Sequence, residues 1–185
     1  MRVISGSARG VKLTALPGED VTRPTIDRVK EGMFSALQFV LPAAKVLDLF
    51  AGSGQLGIEA LSRGAAHCTF VDQNRQAAAV LQRNCQAAGV AAKSQVLLTD
   101  SVRFLDTCTQ QYHVVLLDPP YRKGILQEVL PKAASVTLPG GTVLCESEAG
   151  IELPQECEGL LLKKQYRYGT VLVTRYEKEQ ASDEH

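Results

Sequence analysis

The amino-acid sequence predicts an α/β fold built around a mostly parallel sheet. Short apolar runs typical of buried strands alternate along the chain with stretches of helical periodicity. Alternation on this scale indicates a doubly wound sheet with helices on both faces. The 185 residues are enough for one domain with a sizeable core.

Each predicted element has a local signal in the sequence. Gly6 and Gly10 flank a turn between residues 2–5 and 10–14, which predicts an N-terminal hairpin. Pro24 suits the first turn of a helix, and the apolar residues after it recur at helical spacing. Strands and helices then alternate, with strands at 45–50, 67–72, 94–98, 113–118 and 141–146 and helices at 54–63, 74–88, 101–108 and 124–134.

Three segments are expected along the chain. Residues 1–40 form an extension of hairpin and helix, and residues 41–176 form the core of the protein. The core closes with a β pair at 159–163 and 168–176. Residues 177–185 are charged and lack apolar anchors, so we expect a disordered tail.

A glycine-rich turn follows the first strand of the core. The segment from Gly52 to Gly57 fits GxGxxG, and Asp72 ends the next strand twenty residues after Gly52. This pattern also fits a dinucleotide site, where a pyrophosphate lies on the helix N-terminus. Asp48 would repel a diphosphate and attract a cation such as the sulfonium of S-adenosylmethionine. The loop therefore favours S-adenosylmethionine over NAD but leaves both open.

A second motif, Asp118-Pro119-Pro120-Tyr121, follows the strand at 113–118. The two prolines lack N–H donors, so carbonyl oxygens and the Asp118 carboxylate remain as acceptors. Such acceptors suit the two hydrogens of an exocyclic amine, and the Tyr121 ring suits a stacked base. Asp-Pro-Pro is also an ordinary turn after a strand. Because the motif follows the glycine loop at the same edge of the sheet, binding of a planar amine is the favoured interpretation.

Longer strings beyond these motifs resemble one family along nearly the whole chain. They are TRPT (22–25), DRVKE (27–31), DLFAGSG (48–54), LGIEALSRGA (56–65), DPPYRKG (118–124) and ESE (146–148). The chain resembles the bacterial methyltransferases that modify guanine N2 in small-subunit (16S) ribosomal RNA. It departs from them at Gln55, where the family usually has a small residue, and at Gly32, which weakens a helix by ~1 kcal/mol relative to Ala.

The resemblance implies a Rossmann-like class I methyltransferase fold, with a seven-stranded, mostly parallel sheet whose last strand is antiparallel. It implies methyl transfer from S-adenosylmethionine to the N2 amine of a guanine in 16S ribosomal RNA. The implied catalytic residues are Asp118, Pro119, Pro120 and Tyr121. The implied cofactor-binding residues are Asp48, Phe50, Gly52, Gly54, Gly57, Asp72 and Asp100. Asp100 would meet the adenine amine, and Ser101 after it is expected to cap a helix.

Basic residues suggest where RNA phosphates bind, although the formal net charge is zero. The first sixteen residues carry basic side chains and no acid, further basic residues follow up to Lys30, and two more follow the second motif. The expected RNA-binding residues are Arg9, Lys12, Arg23, Arg28, Arg122 and Lys123. A later cluster, Lys163, Lys164 and Arg167, is interpreted as solvated surface.

Composition limits the remaining possibilities. No apolar run approaches the length of a membrane span, and the N-terminus lacks the apolar core of a signal peptide. The five cysteines include no C-x-x-C pair, so reduced thiols are expected and a metal site is not. We expect a cytoplasmic monomer whose partner is ribosomal RNA or the small ribosomal subunit.

Alternative functions come from three classes. An adenine-N6 nucleic-acid methyltransferase or a protein-glutamine methyltransferase would also present a planar amine to such a motif. Those relatives more often have Asn as the first motif residue, so Asp118 favours guanine. An NAD-binding oxidoreductase would have to tolerate Asp48 near the pyrophosphate, and an RNA-binding protein without catalysis would not need the acidic pocket.

Overall fold

The computed structural model describes residues 1–17, 24–121 and 124–183. Its strands are β1 Lys45–Asp48, β2 His67–Asp72, β3 Ser94–Leu98, β4 Tyr112–Leu117, β5 Thr137–Glu148, β6 Glu156–Cys157, β7 Leu160–Tyr168 and β8 Val171–Lys178. Its helices are α1 Pro24–Leu37, α2 Gln55–Ser62, α3 Arg75–Ala87, α4 Ser101–Thr107 and α5 Ile125–Ser135, with a 3-10 turn at Ala91–Lys93.

All the described strands belong to a single sheet in the order β3-β2-β1-β4-β5-β8-β7-β6. Pairing is parallel from β3 to β5 and antiparallel from β5 to β6. The predicted α/β fold with an antiparallel end is therefore confirmed. The strand order reverses at β1, which pairs with both β2 and β4, and ligands of open α/β sheets bind at such a point.

Both faces of the central strands are buried, as the continuous apolar runs predicted. On β4, Val114 and Leu116 belong to the core cluster that includes residues of α1, α2 and α3. Val115 and Leu117 belong to the second cluster, which includes residues of α4 and α5. No helix among the described residues is long and apolar enough to cross a membrane.

Two details of the sheet differ from the prediction. The described sheet has eight strands rather than seven, because Glu156–Cys157 pairs with the start of β7. The last strand runs to Lys178, where Glu177 pairs with Thr142 and Lys178 with Leu160. The expected tail from residue 177 therefore begins two residues too early, since backbone pairing continues through residues whose side chains are charged.

The predicted N-terminal hairpin is present near its open end, where Arg2 and Lys12 form a bridge and the Val3 and Leu13 N–H groups donate to the Val11 and Met1 carbonyls, each at 2.9 Å. The backbone N–H groups of Ile4 and Ser5 donate to the buried Glu59 carboxylate of α2, at 3.0 to 3.2 Å, instead of pairing across a hairpin. A tertiary contact thus replaces part of the local ladder that the turn glycines predicted.

Helix α1 packs closely against the antiparallel end of the sheet at Gly32. A Cβ atom at this position would lie 1.9 Å from the hydroxyl oxygen of Tyr168 in β7. The glycine that weakens α1 locally therefore permits the close approach of helix and strand. Met33, Phe34 and Leu37 of the same helix are buried in the core.

Candidate active site

A cavity of about 960 Å³ lies at the C-terminal ends of the parallel strands. Its described lining combines both sequence motifs, and the acids on its wall are Asp72, Asp100 and Asp118. Other predicted site residues that line it are Phe50, Gly52, Pro119, Pro120 and Tyr121. The fold therefore brings together predicted site residues that are as much as 71 positions apart in the chain, from Phe50 to Tyr121.

The loop after β1 depends on glycine at two positions. Gly52 and Gly54 have φ of 55° and 85°, in the left-handed region that favours glycine. A Cβ atom on Gly54 would lie 2.0 Å from a methyl carbon of Leu81 in α3. Gly57, one turn into α2, packs against β2, where a Cβ would lie 2.2 Å from the Phe70 ring. Gly54 and Gly57 are buried and shape the loop, but they are not among the described residues that line the cavity.

Asp48 lies beneath this loop rather than on the cavity wall, in contrast to its predicted position. Its side chain is 1% exposed, and its Oδ2 accepts a hydrogen bond from the Gly57 N–H at 3.0 Å. Oδ1 is buried and has no hydrogen-bond partner among the described residues. Burial raises the pKa of Asp48 to about 7, with a smaller contribution from Asp72, while the Gly57 N–H opposes the shift.

Asp72 connects the loop to α3. Its two oxygens accept hydrogen bonds from the backbone N–H groups of Gly52 and Asn74, each at 2.9 Å. Asn74 caps α3 by accepting from Gln76 and Ala77. The carboxylate therefore has a fixed orientation at the cavity and retains lone pairs for a ligand that donates hydrogen bonds.

Asp100, and not Ser101, is the N-cap of α4. Its Oδ1 accepts from the Arg103 N–H at 3.0 Å. The Ser101 hydroxyl instead donates to the Leu49 carbonyl at 2.6 Å, which attaches α4 to the end of β1. The expected capping by Ser101 is wrong because this tertiary acceptor takes its hydroxyl. Both residues line the cavity.

The second motif forms the opposite wall of the same cavity. Pro119 is buried, whereas Pro120 and Tyr121 are exposed. The Tyr121 side chain is 56% exposed, so its ring is available for stacking. Partial burial and the carboxylates of Glu146, Asp118 and Glu148 raise the pKa of Tyr121 to about 12. Tyr121 is therefore a neutral phenol at neutral pH.

Glu146 is a site residue to which the sequence motifs assigned no role. Leu117 pairs with Cys145 in the sheet, so Asp118 and Glu146 follow as neighbours on β4 and β5. Their carboxyl groups are in hydrogen-bonding contact, and burial raises the pKa of Glu146 while that contact opposes the shift. The ESE string in the sequence was the available signal, but the neighbouring strand was needed to interpret it.

The N-terminal segment reaches the cavity through contacts that no motif predicted. The buried Asn84 of α3 accepts from the Thr14 N–H at 2.8 Å and donates to the Thr14 carbonyl at 2.9 Å. It also donates to the Ser53 carbonyl in the glycine loop at 2.9 Å. Leu16, two residues beyond Thr14, lines the cavity.

The expected RNA-binding residues fall into two groups. Arg9, Lys12 and Arg28 are exposed on the N-terminal segment and on α1. Arg23, Arg122 and Lys123 lie outside the described residues. Lys30, in the same basic region of the sequence, is 3% exposed and lies 3.4 Å from Glu59, so it is not available to phosphates.

The sheet order, the glycine loop and the motif at the switch point together define a Rossmann-like methyltransferase. The family model described as Conserved hypothetical protein 95 matches residues 1–177. The chain belongs to this family, which confirms the resemblance found in the sequence.

Named relatives and solved structures agree with this assignment. The chain is 37% identical over 183 residues to a putative rRNA methyltransferase from Bacillus subtilis, covering 96% of this chain and 99% of that protein. It is 40% identical over 130 residues to ribosomal RNA small subunit methyltransferase D from Escherichia coli, covering 70% of this chain and 65% of that protein. A solved structure of a putative methyltransferase from Escherichia coli is similar at a TM-score of 0.87 and 33% identity, covering 98% of this chain and 99% of that chain.

Proposed function

We propose that this chain transfers a methyl group from S-adenosylmethionine to the exocyclic N2 amine of a guanine in small-subunit (16S) ribosomal RNA. One observation carries the proposal: residues 118–121 line the same cavity as Gly52, Asp72 and Asp100. A nucleoside held at the loop therefore faces an amine held at the motif. The family, with its named rRNA methyltransferases, supports the ribosomal substrate.

The residues present fit S-adenosylmethionine. Asp72 is oriented to accept from ribose hydroxyls, and Asp100 from the adenine amine. Phe50 and the Gly52 backbone form the adjacent wall of the cavity. Beneath the loop, the buried Asp48 carboxyl retains an oxygen without a partner among the described residues. When bound, S-adenosylmethionine supplies an electrophilic methyl group on a positively charged sulfur.

The motif residues would prepare the amine for attack. The lone pair of an aromatic amine is delocalised into the ring, which makes the nitrogen a poor nucleophile. Asp118 and the Pro119 carbonyl accept its two hydrogens and turn the lone pair toward the methyl carbon, while Tyr121 holds the base by stacking. As the N–C bond forms, the electrons of the C–S bond stay on sulfur, and the nitrogen then releases a proton. Because a methylated ammonium is acidic, no dedicated base is required.

The setting follows from this chemistry. We infer that the partner is ribosomal RNA or the small ribosomal subunit, and that the chain acts as a monomer in the cytoplasm without a metal. Arg9, Lys12 and Arg28 are exposed and suit phosphate contacts, which position RNA without reading its sequence.

Ligand-dependent thermal unfolding tests the cofactor. S-adenosylhomocysteine should raise the melting temperature in a concentration-dependent way, and NAD should not, because only a ligand of the folded state stabilises it by mass action. Stabilisation by NAD alone would instead support the oxidoreductase. Mass mapping of 16S ribosomal RNA from cells that lack this protein tests the product, since one N2-methylguanine should be absent.

Substitution of Asp118 separates acceptor binding from cofactor binding. We expect Asp118→Ala to lower kcat/KM because it removes about 2 to 4 kcal/mol of transition-state stabilisation, the range for a lost preorganised polar group. Its affinity for S-adenosylhomocysteine, measured by calorimetry, should change little. Activity within threefold of the wild type would contradict the assigned role.

A further inference from the structure

A second cavity, of about 260 Å³, adjoins the motif at the ends of β4 and β5. Residues 119–121 line it from one side and residues 146–148 from the other. Ile125, Leu126 and Ile151 provide apolar walls. An apolar pocket with a few polar groups suits one planar base, and this one lies beside the proposed amine-binding residues.

The polar groups around this cavity are not all satisfied within the protein. Glu146 and Asp118 contact each other through their carboxyl groups, and two carboxyl groups in contact need a hydrogen between them. Ser147 is 2% exposed, and its hydroxyl oxygen has no hydrogen-bond partner among the described residues. Ser147 directly follows Glu146 in β5, so its side chain lies on the opposite face of the sheet, and the Glu146–Asp118 pair is the polar group that faces a base beside the motif.

The edge of guanine matches this set of groups. Guanine presents the O6 acceptor, the N1–H donor and the N2 amine in sequence along one edge. Glu146 offers an acceptor for N1–H, and Asp118 with the Pro119 carbonyl offers two further acceptors for the N2 amine. Adenine has an N1 lone pair in place of N1–H, and a carboxylate facing a lone pair is repulsive.

Resting on the proposed function, we propose that Glu146 determines specificity by accepting the N1–H of the target guanine. Glu146 thereby selects guanine from bases that carry an amine beside an unprotonated ring nitrogen. Asp118 and Pro119 keep the role assigned above.

The test replaces the target guanine with 2-aminopurine, which has the same 2-amine but neither N1–H nor O6. The substrate is the RNA or particle that the wild type methylates, with either base ligated at the mapped position. The wild type should prefer guanine strongly, because a site built for a hydrogen bond rejects analogues that lack it. In Glu146→Gln the preference, as a ratio of kcat/KM values, should fall by about tenfold or more, since an amide also donates to an unprotonated N1.

Further variants make the outcome decisive. Glu152→Gln, an exposed carboxylate outside the cavity, should leave the ratio unchanged. Glu146→Asp keeps the carboxyl group but draws it back by one methylene, and it serves if Glu146→Gln does not fold. It should slow guanine methylation and spare 2-aminopurine. Equal loss on both bases in either variant overturns the inference. A wild type that methylates no guanine overturns the proposed function instead, so the two failures are distinguishable.

Discussion

At the scale of single residues, the site depends on groups held in environments that cost stability. Asp48 is fully buried with one oxygen unpaired among the described residues, and Gly54 occupies a left-handed conformation against Leu81. The sequence predicted that both residues belong to the cofactor loop. It could not predict that they are buried, because their burial depends on the packing of α2 over β1 and of Leu81 in α3 against the loop.

Asp48 should make stability depend on pH. Its pKa is raised from 3.8 to about 7 by burial, so the folded state holds the proton more tightly than the unfolded state. The contribution to the free energy of unfolding is fully present below about pH 4 and is lost as the pH rises to about 7. Asp48→Asn removes this dependence. Urea unfolding between about pH 5 and pH 8 measures this dependence. The control Asp183→Asn changes an exposed carboxylate, and its free energy of unfolding should vary with pH as that of the wild type does. If the free energy of unfolding of Asp48→Asn varies with pH as steeply as that of the wild type, the pKa shift is contradicted.

Gly54 and Gly10 allow the strain of a left-handed backbone to be separated from the steric overlap of an added Cβ atom. Both have φ near +84°, at 85° and 83°, but a Cβ on Gly10 would meet nothing within 4 Å. Gly10→Ala should cost about 1 to 2 kcal/mol from the left-handed backbone alone. Gly54→Ala should cost about 1 to 3 kcal/mol more from overpacking against Leu81, and should weaken S-adenosylhomocysteine binding. Denaturant unfolding and calorimetry measure the two effects; equal stability losses would show that the loop relaxes freely.

At the scale of elements, what could be predicted depended on whether the signal was local. The alternation of strands and helices was predictable because each buried strand is a continuous apolar run. The two-residue strand β6 was not, since two residues show no periodicity. The pairing of Glu146 with Asp118 was not predictable either, because the register of β4 and β5 is a tertiary property.

A buried ion pair attaches α1 and the N-terminal segment to α2. Glu59 is fully buried, contacts Lys30 at 3.4 Å and Arg63 at 2.9 Å, and accepts from Ile4 and Ser5. Glu59→Gln leaves the buried Lys30 without a counter-ion, so we expect a loss of about 3 to 5 kcal/mol. Adding Lys30→Met should recover part of it. The control Asp106→Asn breaks the more exposed ion pair with Lys132 and should cost at most about 1 kcal/mol in the same urea titration. If Glu59→Gln lowers the free energy of unfolding by less than Asp106→Asn does, the Glu59–Lys30 ion pair has no structural role.

At the scale of the whole molecule, a formally neutral chain must bind an anionic polymer through the distribution of its charges. Arg9 and Lys12 are exposed on the N-terminal segment, which reaches the cavity at Leu16, and Arg28 is exposed on α1. A second exposed cluster, Lys163, Lys164 and Arg167, lies on β7 in the antiparallel part of the sheet. Of these basic residues, Arg9 and Lys12 lie on the described segment that continues to the cavity.

The salt dependence of RNA binding distinguishes the two groups. Replacing Arg9, Lys12 and Arg28 with Gln should weaken binding and lower the log-log salt slope by about 0.7 to 0.9 for each phosphate that is no longer neutralised. The methylated nucleotide should stay the same. The same change at Lys163, Lys164 and Arg167 should leave the slope unaltered. If the slope responds to the second set and not the first, the RNA lies along β7.

Asn84 links the N-terminal segment at Thr14 to the glycine loop at Ser53, and this link should affect how fast the two segments open. Because the buried Asn84 amide bonds to both backbone segments, we expect loosening of the glycine loop to weaken the attachment of the N-terminal segment. The Thr14 amide hydrogen should therefore exchange with solvent deuterium at a rate set by the opening of the cofactor loop. A ligand that closes the loop over the cavity should therefore slow exchange of the Thr14 amide hydrogen. Because Thr14 lies on the segment that carries the basic residues, binding of the cofactor and binding of RNA would be coupled through Asn84.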